Sequence, residues 1–174
     1  RLPRSLMLAG ITTLVAVPFA LFVGILAASY SDTRVDHFIS TIVMFVVAVP
    51  EFLLATIAVL IFSVHLGWLS AVSYAPQDPT LQEFIATYAL PVMTLSLVLV
   101  GQMSRMTRAA LIEQMQQPYV EMAILKGASH SRLVLRHALP NAVGPIANAV
   151  ALSLSYLMGG VVIVEVIFNY PGIA

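Results

Sequence analysis

Residues 119–141, YVEMAILKGASHSRLVLRHALPN, form the longest polar passage between the apolar runs of this 174-residue chain. Pro118 directly precedes the passage and suits the first turn of a helix, where a backbone N–H is not needed. Residues at helical spacing then fall on one face: Val120, Ala123, Ile124 and Gly127. The passage therefore predicts a short helix that begins at Pro118 and has one face of small and apolar residues.

The same passage predicts a bend and a second short helix. Gly127 is expected to end the first helix, because glycine adopts the left-handed conformation of a C-terminal cap at little steric cost. Ser129 is suited to be the N-cap of the next helix, which should run to about Ala138 before Leu139 and Pro140 break it. Segment 118–140 is thus expected to be a compact knob of two short helices at a sharp angle.

The charges of segment 118–140 are unbalanced. A single acid, Glu121, stands against five basic or histidine side chains: Lys126, His130, Arg132, Arg136 and His137. The segments on both sides are apolar enough to enter a bilayer. An acidic or amide-rich partner could therefore bind the knob from the aqueous side.

The composition indicates that most of the chain lies in lipid. Hydrophobic residues make up 60% of the sequence, charged residues 9%, and the mean hydropathy is +0.96. A soluble protein of this length could not bury so much apolar surface. The formal net charge is zero and the basic residues are clustered locally, which argues against nucleic-acid binding. The sequence contains no cysteine, which excludes disulfides, thiolate metal sites and cysteine nucleophiles.

Four segments are apolar enough to cross a bilayer as helices, for which about 20 residues suffice. They are residues 6–28, 38–66, 85–103 and 141 to about 164. We therefore predict an all-α membrane protein, a polytopic bundle of about four transmembrane helices. The second span is interrupted near its centre by Pro50 and Glu51, and kinks are expected at Pro18 in the first span and at Pro91 in the third.

Two of the predicted spans carry small residues at four-residue spacing. The first stripe is Ala16, Ala20, Gly24 and Ala28, and the second is Ala147, Ala151, Ser155 and Gly159. Such stripes allow another helix to approach closely in a membrane, where the hydrophobic effect does not drive helices together. The two stripes are expected to pack on different partners.

The orientation of the chain follows from the basic residues in its short loops. Five of them lie between the third and fourth spans: Arg105, Arg108, Lys126, Arg132 and Arg136. Residues 67–83 contain none, so they are predicted to form an external loop, with Trp68 as an interfacial anchor. The knob and residues 29–37 are then cytoplasmic. Arg1 and Arg4 fall outside, against the same rule.

The knob carries a family signature. Glu121-Met122-Ala123 is followed after three residues by Gly127 and, nine residues later, by His137-Ala138-Leu139-Pro140. This pattern resembles the EAA signature of ABC importer permeases, with Met122 in place of the first alanine and His137 in place of an apolar residue. The stretches YVEMAILKGAS, RHALPNAV and VVIVEVIFNYPG are similar to the dipeptide, oligopeptide and nickel branch of these binding-protein-dependent permeases.

The resemblance implies a MetI-like permease fold, in which segment 118–140 is the coupling helix that docks into a cytoplasmic ATPase subunit. The residues expected to carry this coupling are Glu121, Ala123, Lys126, Gly127, Arg132, Leu139 and Pro140. Permeases of this family have six spans. Residues 1–174 are therefore expected to be a single permease domain that lacks one N-terminal and one C-terminal transmembrane helix.

The resemblance also implies a function. The chain is expected to be the transmembrane permease subunit of an ATP-driven importer in the bacterial inner membrane. A second permease subunit, identical or related, would share the solute pathway, cytoplasmic ATP-binding subunits would hydrolyse ATP, and an external or periplasmic solute-binding protein would deliver the solute. No cofactor is implied. Di- or oligopeptides are the expected solute, with nickel, opines and sugars as alternatives.

Charged residues within or beside the spans are candidate sites. Glu51 lies near the midpoint of the second span, where a carboxylate is costly and usually faces protein or water. Pro50 and Glu51 are therefore candidate pathway residues; alternatively, Glu51 is protonated or bonds to backbone groups freed at Pro50. Glu165 is expected to be an interfacial, solvated carboxylate rather than a solute ligand. Arg105 and Arg108 are expected to reach the cytoplasmic headgroups.

No motif of enzymatic chemistry occurs in the sequence. It contains no Gly-x-Ser-x-Gly, no His-Glu-x-x-His and no phosphate-binding GxxxxGK[ST] loop, so ATP hydrolysis is expected on a partner chain. An ion-coupled secondary transporter or channel is the competing class, because broken spans and a buried acid would suit it. No inverted repeat is visible in the sequence, however, and such a protein would have no use for a docking knob, so this class is less favoured. An intramembrane hydrolase is disfavoured because no pair of nucleophile and base can be placed.

Overall fold

The structure is a computed structural model that describes residues 2–73 and 80–174. Every regular element in these residues is helical, which confirms the all-α prediction. The elements are α1 (Leu2–Ser29), α2 (Arg34–Ala48), α3 (Glu51–Ala58) continuing as a π-helix (Val59–His65), α4 (Leu81–Met115), α5 (Pro118–Leu125), α6 (His130–Arg132) continuing as a π-helix (Leu133–Ala138), and α7 (Leu139–Ile167). Part of the predicted external loop, residues 74–79, lies outside the described residues.

Three helices in the described part of the chain are long and apolar enough to cross a membrane. They are Leu2–Ser29, Leu81–Met115 and a continuous helix from His130 to Ile167. These helices confirm the first, third and fourth predicted spans. The long third span also leaves the apolar region through Arg105 and Arg108 before it ends, so that it leads directly into the knob.

The predicted second span is broken. The helix Arg34–Ala48 and the helical stretch Glu51–His65 meet at an angle of 100°. Between them, Val49 and Pro50 have extended backbone, with ψ angles of 128° and 140°. Proline disfavours helical dihedrals in the residue before it and cannot donate a hydrogen bond to the preceding turn. Counted as one bent span, the two arms bring the total to four, as predicted.

The core of the bundle is the contact between α1 and α4. All four members of the first small-residue stripe are buried: Ala16, Ala20, Gly24 and Ala28. At Gly24 the two helices approach so closely that a β-carbon built there would lie 2.7 Å from Cβ of Thr107 and 2.8 Å from the carbonyl oxygen of Ser104. The stripe therefore serves as a close helix contact, as its spacing predicts.

The second small-residue stripe is exposed along α7. Its members are Ala147, Ala151, Ser155 and Gly159, and a β-carbon built on Gly159 would have no other atom within 4 Å. The buried face of α7 is a different one, which includes Ala149, Ser153 and Leu157 and contacts α3 and α4. The described part of the chain thus contains no partner for this stripe.

Pro140 does not end the helix that begins at His130, and the predicted break is wrong. Leu139 keeps right-handed helical dihedrals (φ −59°, ψ −45°), and its N–H donates to the carbonyl of Val134, five residues back. The wider π turn accommodates the proline ring, which in a regular α-helix would clash with the carbonyl four residues back. The second half of the knob is therefore the first part of a 38-residue helix, His130–Ile167.

Glu165 closes the opposite end of that helix. Glu165 is only 1% exposed, so the prediction that its carboxylate is solvated is wrong. Ser5 Oγ donates a hydrogen bond to Oε1 of Glu165, and the Ala174 N–H donates to Oε2 at 2.9 Å. The Ile173 N–H in turn donates to Ser5 Oγ at 3.0 Å. The turn after α7 folds back over the carboxylate, which joins the end of α7 to the beginning of α1.

Candidate functional site

Helix α5 in the knob has two different faces. On the inner face, Val120 and Ala123 are buried and pack on Leu133 of the second π-helix. Around the rest of the helix, four apolar side chains are between 37% and 81% exposed. We call them the outer patch: Tyr119, Met122, Ile124 and Leu125. Ile124 lies one helical turn after Val120 but is 53% exposed, so it is not part of the buried contact with Leu133. Exposed apolar clusters of this kind mark interaction surfaces.

Gly127 makes the predicted turn at the end of α5. Its φ angle is +79°, in the left-handed region that favours glycine. The Ala128 N–H donates to the carbonyl of Ala123 at 3.1 Å, and the Gly127 N–H donates to that of Ile124 at 2.8 Å. These bonds satisfy carbonyls at the helix end, as in a glycine cap. A β-carbon built on Gly127 would meet no atom within 4 Å, so only the backbone angle requires glycine here.

The seven residues predicted to couple to an ATPase differ in how exposed they are. Glu121, Lys126, Gly127, Arg132 and Pro140 are exposed, Leu139 is partly buried, and Ala123 is buried. The side chain of Ala123 therefore holds α5 against Leu133 and does not face outward. Lys126 and Arg132 form no ion pair with any described residue. Sequence reasoning missed the outer patch, whose residues are the remaining apolar side chains of α5 around the buried Val120 and Ala123.

His130 connects the knob to the first span. Its Nε2 lies 2.7 Å from the carbonyl oxygen of Ser29, the last residue of α1. A carbonyl oxygen can only accept, so the ring nitrogen is the donor. The start of the long helix is thereby tied to the end of α1.

A second connection near the knob joins α2 to α4. Arg108 donates from Nε to Oδ1 of Asp36 at 2.6 Å and from Nη2 to Oδ2 at 2.5 Å. Asp36 is 3% exposed and also accepts from the Asp32 N–H and from Ser40 Oγ. The expectation that Arg108 reaches lipid headgroups is wrong, while Arg105 is exposed and that part of the expectation stays a prediction. Bidentate charged bonds of this type fix geometry as well as energy.

The break in the second span brings Glu51 against α7. Glu51 is the first residue of α3, where the helix dipole favours a negative charge. Its carboxylate occupies space that Gly160 leaves free, since a β-carbon built on Gly160 would lie 2.9 Å from the carboxyl carbon. No hydrogen bond or ion pair joins Glu51 to another described residue.

A cleft of about 250 Å³ opens beside the Glu51 carboxylate. We call it the Glu51 cleft; α4 contributes Leu95, Leu99 and Gln102, and α7 contributes Ser153 and Tyr156. Ser153 is 0% exposed, and its hydroxyl has no hydrogen-bond partner among the described residues. The predicted pathway residue Glu51 thus lines an open, largely apolar cleft between α3, α4 and α7, and Pro50 positions it there by ending the preceding arm.

These features define a multi-pass helical membrane protein that has exposed apolar side chains on its knob and a cleft between helices that contains an acidic side chain. The chain belongs to the family of binding-protein-dependent transport system inner membrane components, whose family model matches residues 20–174. The resemblance noted from the knob sequence is therefore confirmed.

Curated relatives support the same assignment. A putative peptide transport system permease protein of Brucella abortus (strain 2308) is 34% identical over 173 residues, which cover 99% of this chain and 55% of that protein. A probable peptide ABC transporter permease protein of Sinorhizobium fredii (strain NBRC 101917 / NGR234) is 32% identical over the same shares. The glutathione transport system permease protein GsiC of Escherichia coli (strain K12) is 34% identical over 164 residues, 94% of this chain and 51% of GsiC. The chain spans about half the length of these relatives.

Proposed function

We propose that this chain is the solute-conducting part of a permease subunit in an ATP-driven importer of the bacterial inner membrane. In this proposal the knob lies in the cytoplasm and docks on an ATP-binding subunit, which hydrolyses ATP. The observation that carries the proposal is the outer patch: apolar side chains are exposed on α5, the short helix that precedes the long helix His130–Ile167.

The chemistry of the knob suits docking on another protein. Protein interfaces combine an apolar centre with a polar rim. The outer patch supplies the centre, and Glu121, Lys126 and Arg132 are exposed polar neighbours on the same knob. Gly127 and the continuous helix after it would transmit a displacement of the docked surface to the Glu51 cleft, because Ser153 belongs to that same helix.

The remaining partners follow from exposed surface and from family membership. The stripe of Ala147, Ala151, Ser155 and Gly159 is suited to a close helix contact, and we assign it to a second permease subunit, identical or related. An external or periplasmic binding protein would deliver the solute at the Glu165 end. Peptides are the proposed solute, because relatives at 32–34% identity are named as peptide transport permeases.

A second candidate function is an ion-coupled transporter or channel, which the broken span and the unpaired Glu51 favour. Discontinuous helices and intramembrane acids form ion sites in such proteins. The energy source separates the two functions. We expect peptide uptake into proteoliposomes to require ATP and to continue when proton and sodium gradients are dissipated. Uptake that follows an ion gradient without ATP would reject the importer.

Single cysteines test the docking surface, since these 174 residues contain none. Leu125→Cys lies in the outer patch at 81% exposure, and Trp68→Cys is 71% exposed in the predicted external loop. We expect Leu125→Cys to cross-link to the ATP-binding subunit and to be protected from a membrane-impermeant maleimide in intact cells. Trp68→Cys should show the reverse behaviour. Labelling of Leu125→Cys from outside, or the absence of its cross-link, would refute the proposed docking.

A further inference from the structure

We propose that the Glu51 cleft binds the ammonium group of a solute in transit, and so favours solutes with a free amine. This inference rests on the proposed function as a permease and assigns a chemical class of ligand to its pathway. The binding group is the carboxylate of Glu51, assisted by the hydroxyl of Ser153 and the amide of Gln102, which line the same cleft.

The charge of Glu51 has no counterpart in the described structure. A carboxylate removed from water is normally paired, because desolvation of an unpaired charge is costly. Glu51 is partly buried, yet no lysine, arginine or histidine lines its cleft. By contrast, the buried Asp36 is paired with Arg108 of α4. The Glu51 carboxyl group is therefore an acidic group without a cationic partner among the described residues, and the ammonium group of a solute would supply that partner.

The neighbouring polar groups suit an ammonium ion. An ammonium group donates three hydrogen bonds and accepts none. The cleft offers acceptor oxygens from three side chains, the carboxylate of Glu51, the hydroxyl of Ser153 and the amide carbonyl of Gln102. The Ser153 hydroxyl is buried and has no partner among the described residues, so it would gain its missing bond when an amine binds.

The size of the cleft indicates that it holds only one end of a solute. At about 250 Å³ it is smaller than most pockets that enclose a whole small molecule, which are roughly 300–1,000 Å³. Leu95 and Leu99 provide apolar walls for the carbon atoms next to the amine, and Tyr156, 66% exposed, lies at the rim. A site that grips one group weakly suits transport, because the solute must also leave it.

The experiment measures amine binding by the assembled importer in nanodiscs, without the external binding protein. Ligand-observed NMR titrations compare alaninamide, which has a free amine, with N-acetylalaninamide, which has none. We expect saturable binding of alaninamide only, weakened about tenfold by Glu51→Gln, because a hydrogen bond to a charged group is lost. Glu51→Asp should retain the binding, and Ser153→Ala should weaken it about threefold.

The matched control is Glu113→Gln, which neutralises an exposed acid on α4 that does not line the cleft. It should bind alaninamide as the unaltered importer does. Equal binding of both probes, no saturable binding of alaninamide, or equal loss in Glu51→Gln and Glu113→Gln would overturn the inference. If Glu51→Gln does not assemble, Ser153→Ala decides the question. ATP-dependent peptide uptake is measured in parallel, and its absence in the unaltered importer counts against the proposed function instead.

Discussion

The carboxylate of Glu51 lies where a side chain at Gly160 would be. A β-carbon built on Gly160 would be 2.9 Å from the carboxyl carbon of Glu51, tighter than real contacts of this kind. Gly144, on the same helix α7, has no other atom within 4 Å of its built β-carbon. The absence of a side chain at Gly160 therefore leaves room for the Glu51 carboxylate against α7.

Gly160→Ala is expected to stabilise the importer less than Gly144→Ala does. In both variants alanine replaces glycine within a helix, which by itself stabilises the folded state by about 0.5–1 kcal/mol. Only the change at Gly160 also displaces the Glu51 carboxylate, which is the end of a flexible side chain, and this displacement offsets part of the gain. Thermal unfolding of the purified importer should show a lower midpoint for Gly160→Ala than for Gly144→Ala. Equal midpoints would contradict the close contact with Glu51.

Arg108 is expected to contribute more to the free energy of unfolding than Arg105 does, because only Arg108 pairs with a buried carboxylate, that of Asp36. Arg108→Lys keeps the positive charge but loses the two parallel bonds to a buried carboxylate, at a cost of about 1–3 kcal/mol in unfolding free energy. Arg105→Lys, at an exposed position, should change stability by less than about 0.5 kcal/mol.

A double-mutant cycle checks this assignment. If the two side chains interact as described, Asp36→Asn should cost at least about 1 kcal/mol less in an Arg108→Lys background than in the unaltered protein. Additive effects in thermal unfolding would show that the pair contributes no coupling energy.

Gly127→Val is expected to uncouple ATP hydrolysis from transport. A β-branched residue at a φ of +79° is strained by about 1–2 kcal/mol, and the strain should alter the turn between α5 and the long helix. We expect the ATP consumed per peptide imported to rise about tenfold while the importer still assembles and hydrolyses ATP.

Gly67→Val is the matched control for strain alone. Gly67 also has a positive φ, of +62°, and its built β-carbon likewise meets no atom within 4 Å. It lies far along the sequence from the knob, after the first π-helix. If both variants raise ATP consumption equally, the effect reports general destabilisation rather than a role for the Gly127 turn.

Gly24→Ala is expected to separate α1 from α4. The added methyl group would lie 2.7 Å from Cβ of Thr107, and neither helix backbone can move away without losing contacts along the stripe. Gly10→Ala, on the same helix but with no atom within 4 Å of the added carbon, serves as the control. The yield of folded protein after detergent extraction should fall several-fold for Gly24→Ala only. A similar yield from both variants would argue against the close approach.

Features that depend on nearby residues could be predicted from the sequence. The cap at Gly127 follows from the conformational freedom of glycine, and the helix start at Pro118 follows from the missing N–H of proline. The buried stripe of α1 is a repeat within a single helix, so its spacing is visible in the sequence. The break at Pro50 is equally local, although its angle of 100° depends on how the two arms pack.

Features that depend on distant partners could not be predicted in the same way. Arg108 and Asp36 are 72 residues apart, and Glu165 and Ser5 are 160 apart, so no local pattern shows that these polar groups pair inside the bundle. The Glu51 cleft is likewise assembled from three helices. The predicted helix break at Pro140 was wrong for another reason. The π turn before Pro140 accommodates the proline ring, so the helix continues through it.

The unbroken course of His130–Ile167 has a mechanical consequence. Thirty-eight residues at 1.5 Å each make a rod about 57 Å long, nearly twice the ~30 Å thickness of the hydrocarbon layer. If such a rod pivots by about 10° around its middle, each tip swings sideways by roughly 5 Å, which is one helical pitch. Torque applied at the His130 end would therefore reach the Glu165 end without crossing any joint between separate elements.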